Sequence, residues 1–315
     1  MGRILMEYYN KTVVTEFILL GISNYPSAQI VMCVVIFVFY LIILLGNGLM
    51  IVLITLSPPL HTPMYFFLSN LSILDVFYTS CTLPQMLLNC FSHRPTISYI
   101  RCAIQMYVGL FLGITECFLL AVMAYDRFAA VCRPLHYTLI MSKKLCIQMV
   151  TTCWAAALVI TLMPLLMQPT QFCGHNTINH FLCELQAFLK LACSDTYLNE
   201  IVIMVNSFLV LIVPFFFILL TYGRISLAVL HLRSVKGLSK AFSTCGSHLI
   251  VVSIFYGSAI SMYLRPQGKS FSDYDKIVTL FYAAVTPMLN PLIYSLRNKD
   301  VKGAFWRLIG KKVPE

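Results

Sequence analysis

An acid and a base stand side by side at Asp126-Arg127, within the run MAYDRFAAVCRPLHY (Met123 to Tyr137) that closes a long apolar segment. Counting back eighteen residues from Arg127, five helical turns, reaches Gly109, with Gly113, Glu116 and Leu120 close to the same face. A face with two small residues, a carboxylate and a terminal arginine is unsuited to lipid, so it must look into a bundle of other helices. A rod with a small-residue end on one side of a membrane and a charged latch on the other points to transmission of a signal. The plainer reading is a pair of interfacial charges marking a helix end. Asp75 and Glu116 are the other acids within apolar runs. Each isolated acid costs at least ~2.5 kcal/mol at the bilayer centre, so the two should share polar company. One or both can stay protonated and hydrogen-bond, since desolvation and mutual repulsion raise carboxylate pKa values. His180, Cys183 and Glu184 in HFLCE bring together three metal-ligating types, but only a free thiolate ligates.

The elements that position these groups follow from composition. Of 315 residues, 59% are hydrophobic and 11% charged, where a soluble domain carries about a quarter charged; mean hydropathy is +0.82. This is an integral membrane protein. Seven apolar segments are each long enough to span ~30 Å of hydrocarbon. They run from about Ile30 to Leu56, Met64 to Phe91, Cys102 to Val131, Leu145 to Leu166, Ile201 to Leu230, Ala241 to Leu264 and Ile277 to Leu296. Only helices or closed barrels satisfy the backbone in lipid, and runs this long are not barrel strands. The expected fold is an all-α membrane protein, a single seven-transmembrane helix bundle spanning 1–315. Residues 1–29 form its N-terminal segment and 298–315 its tail. In the tail Val301, Phe305 and Leu308 recur at helical spacing among basic residues, which predicts a short amphipathic helix lying on the bilayer.

A net charge of +10 could suggest a nucleic-acid partner, but its distribution excludes that reading. With alternating loops, fourteen Lys and Arg fall on one side with three acids, against eight basic and seven acidic residues on the other. That asymmetry is the positive-inside rule, which places the tail in the cytoplasm and the N-terminus outside, in a multi-pass membrane protein. No cleavable signal peptide is evident. Asn10-Lys11-Thr12 is then a glycosylation sequon on the outer side. Of twelve cysteines, Cys102, Cys173, Cys183 and Cys193 lie outside, an even number that suggests two bridges with three pairings open. The other eight read as packing residues.

Four motifs in order identify the chain: LHTPMYFFLSNLSILD (Leu60 to Asp75), MAYDRFAAVCRPLHY, KAFSTCGSHL (Lys240 to Leu249) and PMLNPLIYSLRN (Pro287 to Asn298). They closely resemble the odorant receptors of the tetrapod airborne type, a family of rhodopsin-like G-protein-coupled receptors, and the likeness covers essentially all seven helices. The resemblance implies a small volatile odorant as ligand, a stimulatory heterotrimeric G protein of olfactory type as partner, and cyclic AMP as output. It implies the disulfides Cys102–Cys183 and Cys173–Cys193, which together close the long loop over the helical mouth. It assigns Asp126, Arg127, Tyr222, Asn290, Pro291 and Tyr294 to the G-protein switch, with Arg127 leaving Asp126 on activation. Related receptors hold a sodium ion at the residue matched by Asp75, with Glu116 beside it, so sodium is the one candidate cofactor. No metal site is expected, since Cys183 is committed to a disulfide. Phe128, Thr221 and Pro58-Pro59 depart from the family pattern and bear on coupling strength alone.

In such receptors small ligands sit between the third, fifth, sixth and seventh helices, in the outer half. Carried onto this chain, that arrangement selects Gly109, Leu110, Gly113 and Ile114, then Asn206, Ser207 and Val210, then Tyr256, Ala259, Ile260 and Tyr263. This lining is apolar and uncharged, with an amide, a hydroxyl and two phenols, which predicts a neutral ligand bearing one carbonyl, hydroxyl or ether. The two glycines either leave room for that ligand or serve close helix packing. A transporter would show inverted repeats and broken helices, a channel would show pore-lining rings, and an enzyme would need a nucleophile, base or metal constellation. None of these patterns is present in the sequence.

Overall fold

The computed structural model describes residues 14–21, 26–92, 94–167, 172, 174, 176–231, 235–264, 273–296 and 299–310. The sequon residue Asn10 and Cys173 lie outside them. Seven helices are long and apolar enough to cross a membrane. The first three are α1 (Pro26–Leu56), α2 (Pro63–Cys90) and α3 (Tyr99–Cys132), followed by α4 (Lys143–Met167). Next, α5 runs through Tyr197–Ser207, a π-helical turn Phe208–Ile212 and Val213–His231. After α6 (Val235–Tyr263), α7 runs through Asp273–Leu280, a second π-helical turn Phe281–Val285 and Thr286–Leu296. A last helix, α8 (Lys299–Leu308), buries Val301 and Ala304 against α1 and the short turn Pro58–Leu60, leaving Leu308 half-exposed. Helix α3 is the hub, packed against α2, α4 and α5. Large apolar side chains such as Ile30, Leu45, Phe77 and Leu220 face outward, as a bundle in lipid requires.

Residues 14–21, ahead of α1, contain a strand that their mixed composition does not predict. Strand β1 (Glu16–Leu19) lies between β2 (Thr96–Ser98), antiparallel, and β3 (Thr177–Ile178), parallel. Alternation explains it: Phe17 and Leu19 point inward and are 0% and 1% exposed, while Glu16 and Ile18 face away. Phe17 meets Phe188 at 5.6 Å and Phe172 at 5.7 Å between ring centroids, so the sheet covers one end of the bundle with an aromatic cap. We refer to this as the lid end, and to the end carrying α8 as the tail end.

Two proline features shape the inner bundle. Pro291 in α7 has no N–H to give the Pro287 carbonyl one turn earlier. Asn47 of α1 takes that role, its Nδ2 donating to Pro287 O at 3.1 Å. The helices must come close for this, and Gly46 permits it: a Cβ there would lie 2.9 Å from Pro291 Cγ. Pro84 bends α2 similarly. Near it Gln105 of α3 donates to Cys81 O at 3.2 Å while its Oε1 accepts from Cys183 N at 3.0 Å, joining the bend to the lid.

Cys102 is bonded to Cys183, tying the lid loop to the start of α3. Cys193 is also disulfide-bonded. The sequence reading of eight packing cysteines is corrected at Cys33 and Cys90, which join α1 to α2. Cys90 ends α2 and Cys33 lies in the lid-end part of α1, brought side by side because α1 and α2 are antiparallel neighbours. Apolar surroundings in the sequence did not reveal that proximity.

Candidate functional site: a lidded cavity and two polar clusters

A cavity of about 130 Å³ opens within the bundle beneath the lid. Nine of the eleven residues selected from the sequence line it: Gly109, Leu110, Gly113 and Ile114 of α3, Asn206, Ser207 and Val210 of α5, and Ala259 and Tyr263 of α6. Tyr256 and Ile260 do not. Helix α6 instead presents Phe255, Ala259 and Tyr263, a stripe at steps of four rotated by one residue from the expected face. Tyr256 turns into the core, 0% exposed, its ring 5.4 Å from Phe215 and its hydroxyl donating to Cys117 O at 2.8 Å. Only Tyr263 of the two expected phenols remains on the cavity wall.

The glycine question resolves on geometry. A Cβ at Gly113 would meet nothing within 4 Å, so this glycine opens space into the cavity and packs no helix against it. A Cβ at Gly109 would lie 3.6 Å from Tyr78, in ordinary contact. The π-helical turns of α5 and α7 also belong to the site. Each inserts one extra residue per turn, redirecting side chains. The turn in α5 carries Val210 and Leu211 to the cavity, and the turn in α7 carries Tyr282.

The expectation of an uncharged lining is corrected, because Glu116 and Glu184 both line the cavity. Glu116 was legible: it follows Gly113 by three residues on the same face of α3. Glu184 was not, because it is on the lid loop, and the disulfide at its neighbour Cys183 carries it over the mouth. Thr279 Oγ1 donates to Glu184 Oε1 at 3.1 Å, and Tyr282 Oη donates to the same oxygen. His180 completes the cluster. Its Nδ1 accepts from Leu182 N at 3.1 Å, which leaves the proton on Nε2, 3.3 Å from Thr279 Oγ1. Burial lowers the His180 pKa from its ordinary value, with Glu184 opposing the shift and Lys276 assisting it, which favours the neutral imidazole. With Cys183 in a disulfide, HFLCE offers no thiolate. No group of three or more His, Cys, Asp or Glu among the described residues is placed to hold a metal ion.

Deeper in the bundle Asn290 Nδ2 donates to Asp75 Oδ2 at 2.9 Å. Asp75 Oδ1, Glu116 Oε1 and Asn290 Oδ1 are buried without hydrogen-bond partners. Unpartnered oxygens of this kind suit a hard cation. Asp75, Glu116 and Asn290 would hold it, and a monovalent ion would offset one carboxylate charge in a dry interior.

At the tail end Asp126 is 1% exposed, and its Oδ1 accepts from Tyr137 Oη at 2.8 Å. Among the described residues it makes no ion pair with Arg127, since neighbours on a helix point about 100° apart. Tyr137 sits in the helical turn Tyr137–Ile140 after α3; burial first, then the Asp126 carboxylate, raises its pKa and keeps its phenol a donor. Tyr222 Oη lies 2.7 Å from His248 Nδ1, joining α5 to α6. The Arg127 Nε and the Tyr294 hydroxyl are buried without partners. Of the six residues expected in the switch, Asp126 and Arg127 are on α3, Tyr222 on α5, and Asn290, Pro291 and Tyr294 on α7; Tyr137 and His248 are hydrogen-bond partners of Asp126 and Tyr222. His248 could be suspected from KAFSTCGSHL, where a histidine interrupts an apolar face.

Comparison with known proteins adds an independent line. A family model described as olfactory receptor matches residues 36–312. Human olfactory receptor 13H1 is 52% identical over 307 residues, 98% of this chain and 100% of that protein. Human olfactory receptors 2B2 and 2W1 are 49% and 47% identical, over 98% and 96% of this chain and 87% and 95% of their own lengths.

Proposed function

The chain belongs to the olfactory receptor family, and from that premise we propose that it is an odorant receptor taking a small volatile into the cavity between α3, α5, α6 and α7. Binding there favours release of the tail-end contacts and activation of a stimulatory heterotrimeric G protein of olfactory type, which raises cyclic AMP. The N-terminus and lid face outside and α8 lies on the inner leaflet, in agreement with the charge asymmetry of the loops.

One observation carries the reading: Gly113 faces open cavity space, on the same helix that carries Asp126 and Arg127 near its tail end. A ligand pressing on α3 and α6 from the lid end shares rigid elements with Tyr137, Tyr222 and His248 at the tail end. Such a ligand shifts the equilibrium only by its differential affinity for the two states, and a cluster of a few hydrogen bonds is of a strength it can bias. The cavity volume suits the ligand class. An apolar cavity of about 150 Å³ takes up benzene, so about 130 Å³ admits a molecule of roughly six carbons, each buried methylene adding about 0.8 kcal/mol.

The test is a cyclic AMP assay in cells expressing the chain with and without a co-expressed stimulatory G protein. A ligand-dependent rise only with the G protein is expected. A response independent of any G protein would overturn the reading.

A further inference from the structure

The lid places on the cavity wall a carboxylate whose two oxygens differ. Glu184 is 6% exposed and lines the cavity. Its Oε1 is satisfied twice over, by Thr279 and by Tyr282. Its Oε2 is buried with no hydrogen-bond partner. Leaving a buried carboxylate oxygen unsatisfied is expensive, so a native structure that does so invites an explanation. No Lys, Arg or His lines the cavity, and the second acid there, Glu116, also has an unpartnered oxygen. The wall therefore holds two acids with unpartnered oxygens and no cation, beside neutral groups that include the unpartnered hydroxyl of Thr161. A carboxylate ligand would be repelled by both acids, and an ether or aldehyde, having no donor, would leave Oε2 as it was. A hydroxyl would meet it with a charge-assisted hydrogen bond, about twice as strong as a neutral one.

We propose that the cavity selects ligands carrying a hydrogen-bond donor, short alkanols above all, with the hydroxyl seated on Glu184 Oε2 and the alkyl chain running between α3 and α6. This deepens the odorant-receptor reading and rests on it. The lid is then a direct part of recognition: Cys102–Cys183 fixes the backbone beside Glu184, and Thr279 and Tyr282 fix the carboxylate plane.

The probes are a homologous series of alkanols, butyl to octyl, with the isosteric methyl ethers and alkanals, assayed by cyclic AMP dose–response. Wild-type protein should answer the alkanol at about tenfold lower concentration than the matching ether. Glu184→Gln keeps an oxygen for Thr279 and Tyr282 but puts an amide N–H₂ in place of Oε2. It should reverse the preference, weakening the alkanol and strengthening the alkanal. Alkanol and ether of equal potency on the wild type would overturn the proposal, and that comparison needs no variant. An unchanged alkanol-to-alkanal ratio in a Glu184→Gln protein that reaches the surface would overturn it too. Gly113→Leu separates the two levels. If it leaves every potency untouched, the ligand is elsewhere and the underlying reading fails. If it shifts all of them while alkanol and ether stay equal, only the role of Glu184 fails. Silence of the wild type to the whole series would overturn both.

Discussion

At the scale of single residues, positions whose importance is geometric are separable from those whose importance is electrostatic. Gly46 belongs to the first kind. A methyl group there meets Pro291 Cγ at 2.9 Å, inside any real contact distance, and the neighbour is a rigid ring in a helix that cannot swing away. Gly46→Ala should therefore destabilise the receptor by ~1–3 kcal/mol, the usual range for overpacking, read as a lower melting temperature in detergent. Gly48→Ala, which meets nothing within 4 Å, is the control and should be near neutral. Arg127 belongs to the second kind. It is half-buried, its Nε has no partner, and it makes no ion pair with Asp126. Little of the resting fold depends on it. Arg127→Ala is expected to reach the surface at near wild-type levels while losing the cyclic AMP response, and a full response would remove Arg127 from the switch. Tyr137→Phe should act differently. It strips Asp126 of its only hydrogen bond among the described residues and leaves a buried carboxylate unsatisfied, which favours any state where Asp126 finds water or another partner. Raised basal cyclic AMP is the expected readout.

At the scale of elements, the bundle is held in register by side chains that repair what prolines and loops leave open. Asn47 answers the Pro287 carbonyl, and Gln105 joins the bend of α2 to Cys183. Breaking Cys102–Cys183 should consequently harm folding more than breaking the bridge at Cys193, because the first anchors the lid to a transmembrane helix and to Gln105 together. Loss of either removes a constraint typically worth ~2–4 kcal/mol. Peptide mapping of unreduced protein should recover Cys102 with Cys183, and surface levels of Cys102→Ser should fall below those of Cys193→Ser. The buried acids form a second coupled element. Asp75 and Glu116 share Asn290 as a polar neighbour, and each of the three leaves one oxygen unpartnered. A double-mutant cycle with Asp75→Asn and Glu116→Gln should show a coupling of at least ~0.5 kcal/mol in thermal stability; strict additivity would dissolve the cluster.

At the scale of the whole molecule, the sequence was most legible where one physical demand dominates. Seven apolar runs with few charges leave lipid-spanning helices as the only outcome, and the helix bounds differ from expectation by a few residues at the ends. The face of α3 was legible because Gly109, Gly113 and Glu116 repeat at helical spacing. Legibility failed wherever tertiary context decided the matter. The π-helical turns of α5 and α7 have no signature in composition, and the one-residue rotation that exchanges Tyr256 and Ile260 for Phe255 on α6 is a packing outcome. Glu184 reached the cavity through a loop whose path depends on a disulfide. Strand β1 was hidden because four residues of alternation beside charges resemble any N-terminal segment.

The central claim is that the space opposite Gly113 is where the ligand sits and where the signal begins. The most direct measurement is a cyclic AMP dose–response over a homologous series of odorants on wild type and Gly113→Leu, both quantified at the cell surface. A leucine side chain would occupy much of the space that now meets nothing within 4 Å of the glycine. The optimum chain length should shorten by roughly three methylenes, the volume a leucine side chain adds, with the longest ligands weakened by about tenfold or more. An unchanged potency order, with both proteins equally displayed, would contradict the account.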